Sequence, residues 1–118
     1  MNLLATLLIL VVALLHGYFL VLEMFLWTKP AGRKAFGTTP EFAEASKTLA
    51  ANQGLYNGFL AAGLLWGIGQ GVNGMAFKVF FLLCVIVAGI YGALSVNRRI
   101  LYIQALPALL ALIVLLLA

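Results

Sequence analysis

Carboxylates are almost missing from this chain: three glutamates, Glu23, Glu41 and Glu44, and no aspartate in 118 residues. Histidine and cysteine occur once each, as His16 and Cys84. With no His-x-x-His or Cys-x-x-Cys spacing and so few acids, no metal is expected. A lone cysteine also excludes an internal disulfide, and Cys84, set among Leu83, Val85 and Ile86, reads as a packing thiol. No phosphate-binding loop or nucleophile motif is present, so no cofactor is assigned. Charge of any sign is scarce, at 8% of residues, where soluble domains carry about a quarter.

Apolar length takes the place of charge. The composition is 65% hydrophobic, with a mean hydropathy of +1.16. Leu3 to Trp27, Leu49 to Gly69, Val79 to Val96 and Ile100 to Ala118 each approach the ~20 residues that a spanning helix needs. The remainder is one loop of about a dozen residues after Trp27 and two short turns, with no room for a soluble domain. The first segment lacks a basic n-region and a flanked small-x-small cleavage pattern, and its apolar run outlasts a signal h-region, so it reads as a retained helix. The expected fold is an all-α membrane protein, one four-helix transmembrane bundle over residues 1–118.

The net charge of +4 would suggest nucleic acid in a soluble protein, but its distribution has a better explanation. Lys29, Arg33, Lys34 and Lys47 lie between helices 1 and 2, and Arg98 and Arg99 between helices 3 and 4; only Lys78 falls on the other side. The positive-inside rule then places both termini outside the cytoplasm, in the inner (plasma) membrane. The bilayer is the expected partner, with no nucleic acid and with homo-oligomerisation left open.

Breaks and starts are marked locally. Helix 1 is expected to end near Pro30, which disfavours helical geometry in the residue before it. Gly32 and Gly37 read as loosening the chain. Thr38-Thr39-Pro40-Glu41 has a hydroxyl cap, proline at the first helical position and an acid in the first turn, so helix 2 begins near Pro40. Gly69 to Gly74 is a tight turn, Asn97 to Arg99 a shorter one, and Pro107 should bend helix 4. Gly54, Gly58 and Ala62, with Gly63 and Gly67, and the run Ala88, Gly89, Gly92, Ala93 supply small faces for close helix contact.

Polar side chains inside a bilayer are costly and therefore informative. At 1.5 Å per residue, Glu23 lies roughly 7 Å and His16 roughly 17 Å below the cytoplasmic interface. On the same scale Asn52 and Gln53 lie roughly 8 Å deep, Asn57 roughly 15 Å, Tyr91 roughly 10 Å and Gln104 roughly 6 Å. The outer half is nearly featureless beyond Thr6. His16 and Glu23 are seven apart and share a face, as do Gln53 and Asn57, with Tyr56 beside them. The spacing predicts one cavity in the cytoplasmic half, lined by His16, Glu23, Asn52, Gln53, Tyr56, Asn57, Tyr91 and Gln104. Arg33, Lys34, Arg98 and Arg99 would stand at its mouth as anion contacts. For each of these a plainer role exists: amides that join helices, aromatics at the interface, a histidine donating to a carbonyl. Glu23 fits such a role least.

Three stretches carry a resemblance: His16 to Thr28 (HGYFLVLEMFLWT), Ala51 to Gly63 (ANQGLYNGFLAAG) and Val87 to Ala93 (VAGIYGA). Together they resemble the bacterial integral membrane family catalogued as domain of unknown function 1304, over essentially the whole chain. The resemblance implies a stand-alone four-helix membrane protein and brings no activity with it.

Three functions compete. The first is binding of an amphiphilic or lipid-like molecule from the cytoplasmic leaflet. His16 and Glu23 are the candidates for acid and base there, with no reaction assigned. The second is a small proton-coupled exporter of the four-helix multidrug type. Against it stand the off-centre Glu23, an outer half without polar footholds and the fixed charge bias. The third is a structural or assembly subunit whose polar layer only joins helices.

Overall fold

The computed structural model describes residues 2–118, and among them it is all-helical, with no strand. The helices are α1 (Leu3–Met24), α2 (Pro30–Phe36), α3 (Pro40–Gly69), α4 (Met75–Ser95) and α5 (Leu106–Leu117). A 3-10 turn (Gly71–Gly74) leads into α4, and a π-helical turn (Leu101–Ala105) leads into α5. Two helical stretches, Leu3–Met24 and Gly71–Ser95, are long and apolar enough to cross a membrane, and Leu101–Leu117 is a shorter apolar helix. The polar residues and glycines within 49–69 lower the hydropathy of α3.

Several boundaries follow the local chemistry. Thr39 Oγ1 accepts a hydrogen bond from Phe42 N at 3.1 Å and caps α3 one residue before Pro40, as the sequence predicts. Glu41 stands in the first turn, where the helix dipole favours it. Gly71, at φ 61°, supplies the left-handed residue that lets the chain leave α3.

Three expectations are corrected. α1 ends at Met24, well short of Pro30; Leu26 N reaches back to Val21 O at 3.2 Å, a widened turn that unwinds the helix. The stretch read as loosened chain holds a seven-residue helix, α2. Pro30 starts it at a position where the missing N–H is not needed, and Gly37, at φ 67°, ends it with its N–H on Arg33 O. Gly32 is required for packing, since a Cβ there would lie 2.0 Å from Leu26 O. Finally, Pro107 does not simply bend a uniform helix: the turn before it widens to π geometry, with Leu106 N bonded to Leu101 O.

The chain divides into two compact units. The first joins the residues up to Leu14 with Leu60–Ala118. Its core holds Ile9, Val12, Leu64, Leu82, Val85, Ala108 and Leu112. Backbones approach closely at Gly89, where a Cβ would meet Ala105 N at 2.6 Å. The second unit, Leu15–Phe59, contains the C-terminal part of α1, all of α2 and the first two-thirds of α3.

Candidate functional site

The candidate site lies in the second unit and is built by α1 and α3. The buried positions of α3 are Ala43, Ala50, Gly54, Asn57, Ala61, Leu64 and Gly67, spaced by seven, four, three, four, three and three. That is a narrow heptad seam, tighter than the broad apolar stripe of an ordinary surface helix. Close approach at the seam depends on Gly54, where a Cβ would sit 2.8 Å from Met24 Cγ and 3.0 Å from Glu23 Cβ. A Cβ at Gly58 would meet Leu20 Cδ1 at 2.5 Å. The small face therefore continues through Ala61, while Ala62, the expected next member, is exposed.

Where the seam meets α1, the polar residues converge. Glu23 is 7% exposed, Asn57 6% and His16 0%. Asn57 Nδ2 donates to Glu23 Oε1 at 2.5 Å, joining residues 34 apart in sequence. His16 packs edge-on against Phe19, with ring centroids 5.3 Å apart. One buried carboxyl and one buried imidazole thus sit two turns apart on a single face of α1. Chemically, the pair offers a proton donor, a proton acceptor and a fixed amide dipole.

The other expected members are placed differently. Asn52, Gln53 and Tyr56 are exposed, and Asn52 Nδ2 donates to Tyr56 Oη at 3.1 Å along the helix surface. Gln53 and Asn57, four residues apart, differ in angle by about 40°, enough for one to fall outside so narrow a seam. Tyr91, on α4, and Gln104, in the π-helical turn, belong to the other unit; Tyr91 is exposed and Gln104 half-buried. Of the basic residues, Arg33 is half-buried, and its Nε is sequestered with no hydrogen-bond partner. Lys34, Arg98 and Arg99 are exposed.

Sequence reasoning missed two groups. Trp27 Nε1 donates to Ser46 Oγ at 3.0 Å, and the indole packs at a tilt against Phe36, with 4.9 Å between centroids. Its signal was the pair of aromatics flanking the basic segment of residues 28–35. The other is Lys78, expected only as the one basic residue on the far side from the loops, but buried at 5% exposure in the first turn of α4. The signal there was a lone cation inside an apolar run.

Fold and site together define an all-helical protein with two helices able to cross a membrane and a buried glutamate–asparagine pair. The family described as "Protein of unknown function (DUF1304)" matches residues 10–116. The chain belongs to that family. It is 34% identical over 115 residues, 96% of this chain and 97% of the other, to "Uncharacterized protein YpaA" of Lactococcus lactis subsp. lactis (strain IL1403). No solved structure matches.

Proposed function

We propose that this protein crosses the inner membrane four times, with both termini outside the cytoplasm, and binds an amphiphilic, lipid-like molecule through His16, Glu23 and Asn57. Membrane residence is supported by what the apolar helices leave uncovered. Only 28% of the most apolar window of Leu3–Met24 and 22% of that of Gly71–Ser95 is buried within the chain, whereas the core helix of a soluble protein is mostly buried. The third and fourth crossings would be residues 49–69 of α3, which carry no charge, and Leu101–Leu117. Trp27, Phe36 and the basic residues Lys29, Arg33 and Lys34 give the α2 region the composition of an interfacial segment on the cytoplasmic side.

One observation carries the binding reading: two ionisable side chains, Glu23 and His16, are buried on one face of α1. Such residues are expensive in a bilayer and by default mark function. Asn57 engages one carboxyl oxygen and leaves the other for a ligand. The sequestered Arg33 Nε is a donor suited to an anionic head. A second reading, that the polar group only joins helices, is favoured by the Asn57–Glu23 hydrogen bond itself.

Glu23→Gln separates the two, because glutamine keeps the shape and an acceptor while removing the charge and the exchangeable proton. The measurement is thermal stability in detergent beside mass spectrometry of the molecules that co-purify. The expected result is a Tm close to wild type with loss of the retained amphiphile. A large fall in Tm with retention unchanged, or a wild type that retains nothing, would refute the binding reading.

A further inference from the structure

A second polar group belongs to the other unit, among residues that the sequence reads as the nearly featureless outer half. Within the unit of residues up to Leu14 and Leu60–Ala118, a partly open cleft of about 460 Å³ has Asn2, Thr6, Gly71, Met75, Lys78, Leu115 and Ala118 among its lining residues. That volume lies within the range of small-molecule sites. Lys78 is nine-tenths or more buried, yet its ammonium has one long hydrogen bond, 3.4 Å to Gly71 O. An ammonium carries three donors and a full charge. The unit has no carboxylate side chain to answer it, since Glu23, Glu41 and Glu44 all fall within Leu15–Phe59. Among the described residues Lys78 makes no ion pair.

The helix start adds positive potential. Lys78 stands in the first turn of α4, where the helix dipole repels a cation and attracts an anion. The start of α1 borders the same cleft, with Asn2 Oδ1 accepting Ala5 N at 2.9 Å and the Asn2 Nδ2 group a donor. Met75 and Leu115 make part of the rim apolar. A buried cation that no carboxylate among the described residues ion-pairs, beside an apolar margin, describes the complement of an anionic head on a greasy tail.

We infer that this cleft binds a phosphate oxyanion, with Lys78 as its countercharge. The same chemistry is offered by a lipid phosphodiester and by free inorganic phosphate, and the experiment distinguishes them. The site does not depend on the Glu23 reading: it uses other residues, in the other unit, and in the proposed orientation it faces the outer leaflet.

The test measures Tm of the full chain in neutral detergent with added phosphatidylglycerol, diacylglycerol or inorganic phosphate. Wild type, Lys78→Met and Lys78→Arg are compared. The surface basic residues attract phosphatidylglycerol in all three, so the reading is the part that depends on residue 78. Wild type and Lys78→Arg should gain about 5 °C more than Lys78→Met with phosphatidylglycerol, and no variant should gain with diacylglycerol, which has the tails and no phosphate. The same difference with inorganic phosphate assigns the site to the free anion; a difference with phosphatidylglycerol alone assigns it to the lipid head. Should Lys78→Met fail to fold, Met75→Trp, which fills the cleft and keeps the charge, should abolish the gain. A gain equal in wild type and in the altered chains, or no gain in wild type with either probe, would overturn the inference.

Discussion

At the scale of single residues, Glu23 and Asn57 depend on each other. Replacing Asn57 by leucine removes the donor and leaves a buried carboxyl without that partner, a loss of about 1–3 kcal/mol. Asn57→Leu should therefore melt clearly below wild type in a detergent melt; an unchanged Tm would mean that the hydrogen bond carries no stability. Glu23, His16 and Asn57 were legible in the sequence because each is a polar side chain deep within an apolar run. Gln53 was not, because four-residue spacing fixes a face only to within about 40°, and the glycines of α3 narrow the buried seam below that tolerance. Lys78 was misread for a different reason. Counting basic residues by loop assigns a side of the membrane, but it says nothing of whether a lysine near a helix start points outward or into a cleft.

At the scale of elements, glycine spacing predicts which contacts are intolerant of change. A Cβ at Gly89 would meet Ala105 backbone atoms at 2.6 and 2.9 Å, while one at Gly17 would meet nothing within 4 Å. Gly89→Ala should lower Tm well below wild type. Gly17→Ala should leave it unchanged or raise it, through the ~0.5–1 kcal/mol by which alanine favours a helix over glycine. Equal effects at the two positions would contradict the packing described for α4 and the π-helical turn. The capped start of α3 was readable from Thr39-Pro40-Glu41, because capping chemistry is local. α2 was not readable, since glycine has two uses. Gly37 ends a helix in the left-handed region, as its type suggests, but Gly32 sits inside one, held there by contact with Leu26 and Trp27 that no local pattern announces.

At the scale of the whole molecule, two apolar helices follow directly from composition, and membrane orientation follows only through the placement of a few charges. The proposed orientation puts the Glu23–Asn57 pair and Arg33 toward the cytoplasm and the Lys78 cleft toward the outside. Both site proposals inherit this geometry, so sidedness is the claim on which the account turns. It is tested by single cysteines at position 33 and at the exposed position 73, placed in a Cys84→Ala background and exposed to a membrane-impermeant maleimide in intact cells. The account predicts labelling at position 73 and protection at position 33 until the membrane is broken. Labelling at position 33 with protection at position 73 would reverse the orientation and move the Glu23 group to the outer leaflet, and equal labelling of both in intact cells would contradict a fixed topology altogether.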